Sequence, residues 1–104
     1  MTELPIACTL DPGELARRGD GLLPGLVARA DSRETLPDGM RWRFAPSSEI
    51  LAALFGAIDM ERRCCRFLRF ELVVEAGEGP VWLDVTGPAG TREFLESLTR
   101  LPPP

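Results

Sequence analysis

Leu68-Arg69-Phe70-Glu71-Leu72-Val73-Val74-Glu75, followed by Gly77-Glu78-Gly79-Pro80 and then Val81-Trp82-Leu83-Asp84-Val85-Thr86, is the stretch that decides the fold. Leu68, Phe70, Leu72 and Val74 alternate with Arg69, Glu71, Val73 and Glu75, and Val81, Leu83 and Val85 alternate with Trp82, Asp84 and Thr86. Side chains along a strand point to opposite faces with a period of two, so each run presents one apolar and one polar face. The glycines and proline between the runs predict a short hairpin turn and hence an antiparallel pair. A sheet with one apolar face must be covered by other elements on that side.

Upstream, Ser47 or Ser48 begins a helix that runs from Ser48 to about Cys65. Its apolar stripe is Ile50, Leu51, Leu54, Phe55 and Ile58. Before it, Met40-Arg41-Trp42-Arg43-Phe44 alternates strictly and predicts a strand with Met40, Trp42 and Phe44 inward. Asp31 to Asp38 is polar and reads as a loop, with a turn at Pro37-Asp38-Gly39. Further upstream, Pro5 to Leu10 alternates as a short strand that puts Ile6, Cys8 and Leu10 on one face. Asp11-Pro12-Gly13-Glu14 then has the form of a capping box, opening a helix from Pro12 to about Ala30 that is kinked or split around residues 19–25. Downstream, Thr86-Gly87-Pro88 leads into a last helix from Ala89 to about Arg100, with Phe94, Leu95 and Leu98 inward, and Leu101-Pro102-Pro103-Pro104 is a tail.

The expected order is therefore β-α-β-α-β-β-α, an α/β (two-layer α+β) domain over residues 1–104, with a four-stranded mixed sheet and helices mainly on one face. Thioredoxin-like folds share this order, but they carry a Cys-x-x-Cys after the first strand and a proline before the third. This chain has neither.

At 104 residues the chain is long enough to bury a core without staples. The net charge of -4 and the lack of any long basic run argue against nucleic acid and against anionic membrane surfaces. Met1-Thr2-Glu3-Leu4-Pro5 has no signal pattern, and no apolar run approaches the ~20 residues that span a bilayer. The expected compartment is the cytoplasm. Every basic residue is arginine, and Ala, Gly and Pro are abundant, as in a GC-rich genome; arginine content is therefore no functional signal. Histidine is absent, which removes Cys/His and Ser/His/Asp arrangements and the commonest general base.

Chemistry concentrates at Glu61-Arg62-Arg63-Cys64-Cys65-Arg66. Residues three and four apart share a helix face, so Glu61 neighbours Cys64 and Cys65 on the continuation of the core stripe. A carboxylate there must be paired, liganded or protonated. Cys8 lies on the apolar face of the first strand, where it can approach the pair. Three cysteines, two of them adjacent, are no disulfide framework. Cys8, Cys64, Cys65 and Glu61 form a candidate ligand set for a soft ion such as Hg(II), As(III) or Cu(I), or for Zn(II) with a fourth ligand. No organic cofactor is indicated.

A second reading is a small thiol-dependent redox protein or enzyme that takes a thiol-reactive ligand, with Cys64 or Cys65 as nucleophile, Cys8 as resolving thiol and Glu61 as base. A third is a non-catalytic module, a homodimer through the face that carries Trp82. The structural alternatives are equally concrete. Cysteine packs as a small hydrophobe, Glu61 can pair with Arg41, Arg43 or Arg69, and Arg62, Arg63, Arg66 and Arg69 suit a solvated helix end. Two adjacent cysteines on a helix are not expected to face the core equally.

Ala7-Cys8-Thr9-Leu10, Arg43-Phe44, the run from Glu61 to Phe70, and Val85-Thr86-Gly87-Pro88-Ala89-Gly90 resemble a group of short bacterial proteins marked by a Glu-Arg-x-Cys-Cys-x-Phe motif. The resemblance extends over nearly the whole chain, and the double cysteine is its specific part. It implies a loose association with metal-stress and mercury-resistance settings and brings no established activity with it. Many of these proteins have proline after the cysteine pair, where this chain has Arg66.

Overall fold

The computed structural model describes residues 23–98. The strand expected at Pro5–Leu10, with Cys8, the first part of the following helix and the C-terminal tail lie outside the described residues. Within them the order is α1 (Leu23–Val27), β1 (Ser32–Leu36), β2 (Gly39–Phe44), α2 (Ser48–Cys64), β3 (Arg69–Val74), β4 (Val81–Thr86) and α3 (Thr91–Leu98).

The strands form one four-stranded sheet in the order β1-β2-β4-β3, and all three pairings are antiparallel. This α+β arrangement corrects the expectation of a mixed sheet. The α2 crossover brings β3 in running the same way as β2. β4 then folds back between them, so the two like-directed strands are never neighbours.

β1 corrects the reading of Asp31–Asp38 as a loop. Ser32–Leu36 pairs residue by residue with Arg43–Gly39. The strand is a sheet edge, and Ser32 to Thr35 are exposed whichever face they occupy. With neither face buried, no apolar alternation is needed, and none marks it in the sequence. The turn expected at Pro37-Asp38-Gly39 is the tip of this hairpin, since Leu36 pairs with Gly39. Gly39 is needed there for close approach: a Cβ would meet the Val85 carbonyl oxygen and lie 2.8 Å from the Thr86 Cα.

The two central strands supply the floor of the core. Met40 faces Val85, Trp42 faces Leu83 and Phe44 faces Val81 across the β2–β4 ladder, and all six are buried. Each such side chain contributes about 1.5–3 kcal/mol when removed from water. Ile50, Leu54 and Ala57 of α2, Leu26 and Val27 of α1, and Leu95 of α3 close over them in the same cluster. Phe94 is half-buried against it, and the Leu98 side chain lies outside the described residues. On β3, Phe70 and Leu72 are half-buried and Val74 is exposed, because this strand is the other edge.

α2 begins where Ser47, in extended conformation, accepts a hydrogen bond on its Oγ from the Ile50 N–H at 3.0 Å. Its buried line is Ile50, Leu54, Ala57, Glu61 and Cys64. Phe55, expected on the stripe, is 62 % exposed. It sits about 100° round the helix from Leu54.

The other sheet face is polar. Arg41 donates two hydrogen bonds to the Asp84 carboxylate, at 2.7 and 2.8 Å, and lies 3.8 Å from Glu34. Arg43 lies over the Trp82 ring at 5.9 Å from its centroid and reaches Asp31 at 3.5 Å. This stacking accounts for an aromatic residue on a charged face.

Candidate metal centre

The C-terminal turn of α2 gathers the chemically distinctive residues. Glu61 is fully buried on the helix line, and Cys64 follows one turn later at 4 % exposure. The Cys64 Sγ donates to the Glu61 Oε1 at 3.3 Å.

Cys65 is also fully buried, although two adjacent cysteines on a helix are not expected to face the core equally. The helix ends at Cys64, and Cys65 departs from helical geometry with φ -116° and ψ 73°. Its side chain is thereby released from the ~100° step that would carry it away from Cys64. The backbone stays pinned on both sides of this break. The Cys65 N–H donates to the Glu61 carbonyl at 2.7 Å, and the Cys65 carbonyl accepts from the Leu68 N–H at 3.0 Å.

As a result the two Sγ atoms stand 3.6 Å apart. This is well beyond the ~2.05 Å of a disulfide bond. One carboxylate oxygen and the two sulfurs all lie within 4.8 Å of one another. Glu61, Cys64 and Cys65 are thus a buried group that can hold a metal ion.

The turn after the cysteines is braced from outside. Phe67 and Leu68 are buried, and the Phe67 ring meets Phe94 of α3 edge-on at 5.0 Å between centroids. The loop from β4 to α3 presses on the same turn: a Cβ at Gly87 would lie 3.0 Å from the Phe67 carbonyl oxygen and 2.5 Å from the Thr91 Oγ1. The buried Thr91 hydroxyl donates to the Pro88 carbonyl at 2.6 Å and so closes this loop. Thr91 and Phe67 support the centre; Phe67 is the aromatic residue of the Glu-Arg-x-Cys-Cys-x-Phe pattern, whereas Thr91 belongs to no expected site. The Pro88-Ala89-Gly90-Thr91 spacing, a hydroxyl three residues after a helix-entry proline, is the signal that marks the first of them.

The neighbouring arginines follow the solvated-face reading. Arg62 and Arg63 both bind Asp59 on the exposed side of α2, at 2.7 and 2.9 Å. Arg41, Arg43 and Arg69, considered as partners for Glu61, are engaged on the polar sheet face with Asp84, Asp31 and Glu71 respectively. The C-terminal end of α2 contributes partial negative charge at the cysteines. That field disfavours bare thiolates and favours a bound cation. A buried carboxylate must be paired, liganded or protonated.

Of the residues expected to form a site, the fold brings Glu61, Cys64 and Cys65 together, and Cys8 lies outside the described residues. Among the described residues no helix is long and apolar enough to cross a membrane. Comparison with protein-family models, curated proteins and solved structures returns no match.

Proposed function

We propose that this protein is a cytoplasmic binder of soft or borderline metal or metalloid ions, drawn from Hg(II), As(III), Cu(I) and Zn(II). Glu61, Cys64 and Cys65 are ligands, and Cys8 is a further candidate from the N-terminal segment. The observation that carries the reading is the convergence of one carboxylate oxygen and two sulfurs within 4.8 Å in a buried position. Sulfur ligands suit these ions, and a reducing compartment keeps the thiols available. On binding, each ligating thiol gives up its proton.

Burial weighs against the thiol-enzyme alternative. A reactive thiol needs partial exposure, and Cys64 and Cys65 are 4 % and 0 % exposed.

The test is titration of the reduced protein with each ion while thiolate charge-transfer absorption is followed. Stoichiometric binding that weakens strongly in a Cys64→Ser/Cys65→Ser variant is expected. Equal binding by the two proteins, for every ion, overturns the proposal. A Cys8→Ser variant reports whether the N-terminal cysteine completes the set.

A further inference from the structure

The separation of the sulfurs distinguishes bent from linear coordination among those ions. We infer that the site is built for a four-coordinate divalent ion of the Zn(II) type and not for a linear two-coordinate ion such as Cu(I) or Hg(II). This rests on the metal-binding reading above.

Two metal–sulfur bonds of ~2.3 Å that span the observed 3.6 Å enclose an angle of about 103° at the metal. A sulfur and a carboxylate oxygen 3.3 Å apart, with bonds of ~2.3 and ~2.0 Å, enclose about 100°. Both angles lie near the tetrahedral value, and the third pair, the Cys65 sulfur and the Glu61 oxygen, lies within 4.8 Å and has to come inside the ~4.3 Å sum of its two bonds on binding. A linear S–metal–S unit with the same bond length needs sulfurs roughly 4.6 Å apart. Opening the pair by that much works against two backbone hydrogen bonds that hold Cys65, one to Glu61 and one from Leu68. It also works against close packing, since Cys65 is fully buried.

Donor type points the same way. Zn(II) accepts carboxylate oxygen together with thiolate sulfur, whereas Cu(I) favours soft sulfur donors over carboxylate oxygen. Charge is consistent with it as well. Two thiolates carry two negative charges, which a divalent ion offsets, at a helix end that already favours a cation. Binding forms two S–Zn bonds and one O–Zn bond and releases the two thiol protons to solvent. The fourth position is left for a further donor such as a water molecule.

Co(II) is the probe, because its tetrahedral thiolate complexes show intense visible ligand-field bands that octahedral ones lack. The reduced full-length protein, titrated with Co(II), is expected to develop these bands together with sulfur-to-cobalt charge transfer, and Zn(II) should displace both. Glu61→Gln, checked for folding by circular dichroism, supplies the second arm. Loss of an outer-shell partner already weakens metal binding by roughly 10–100-fold, so loss of a direct oxygen ligand is expected to weaken Zn(II) by about 100-fold or more. Cu(I), measured by chelator competition, should change less than about threefold.

A pale octahedral Co(II) spectrum overturns the inference, as does an equal effect of Glu61→Gln on Zn(II) and Cu(I). If Cu(I) or Hg(II) binds tightly with two short bonds by X-ray absorption while Zn(II) binds no better than to the Cys64→Ser/Cys65→Ser variant, the geometric inference falls and metal binding stands. If no ion prefers the native protein to that variant, both fall.

Discussion

The Sγ atoms of Cys64 and Cys65 lie 3.6 Å apart, although successive side chains on a helix diverge by about 100°. The contact exists because the helix stops between them: Cys64 is the last helical residue and Cys65 takes up φ -116° and ψ 73°. A vicinal pair that a continuous helix would split between core and solvent thus becomes a two-sulfur face beside Glu61. Its consequences extend to stability, reactivity and the surrounding sheet.

Metal should stabilise the fold, because the folded helix end holds the three ligands in one fixed arrangement. At a hundredfold excess of free Zn(II) over its Kd, linkage gives about 2.7 kcal/mol. In a domain of this size that is a rise in Tm of roughly 10–20 °C. Scanning calorimetry of the reduced protein with Zn(II) and with a chelator checks this, and the Cys64→Ser/Cys65→Ser variant should show no difference between the two conditions.

Both sulfurs should be protected from alkylation. With exposures of 4 % and 0 %, Cys64 and Cys65 can react with iodoacetamide only through local opening. Peptide mapping should find them modified at least about 100-fold more slowly than in the denatured chain. Rates close to those of the denatured chain would show an accessible thiol and restore the enzymatic alternative.

Arg41 and Asp84 should form a pair that is indifferent to pH in the neutral range. The hydrogen bonds from the guanidinium to Asp84, and then the Asp84 charge, raise the Arg41 pKa above its ordinary value. A raised pKa gives a contribution that is complete below the unfolded value and lost only as pH rises through the folded one. Both lie beyond the alkaline limit of folding experiments. Asp84→Ala should therefore lower the urea midpoint slightly and by the same amount throughout about pH 6 to 9. Added salt should shrink the difference, since Arg41 is substantially exposed.

The β3–β4 turn holds a removable strain. Gly77 and Glu78 both have positive φ, at 68° and 57°, and the Gly79 N–H donates to the Ala76 carbonyl at 3.3 Å. These are the features of a type I′ turn. A glutamate in the left-handed region is disfavoured by roughly 1 kcal/mol relative to glycine. Glu78→Gly should raise unfolding free energy by about that much, and Gly77→Ala should lower it similarly, as read by urea denaturation.

What the sequence by itself determined is local and periodic. Strict alternation placed Met40, Trp42 and Phe44 inward, and Val81, Leu83 and Val85 opposite them, because a strand that buries one face must alternate. The 3.6-residue repeat placed Glu61 on the buried line of α2, and Ser47 marked its start. The tertiary structure decided what has no local period. β1 is exposed on both faces and is a strand only because β2 offers it an edge. The antiparallel order exists because β4 inserts between β2 and β3. Cys65 joins Cys64 because Phe67 and Leu68 are drawn into the core beyond the helix end and turn the backbone there. Residue spacing can bring a carboxylate and a thiol onto one helical face, but only packing across the end of the helix could set the second sulfur beside them.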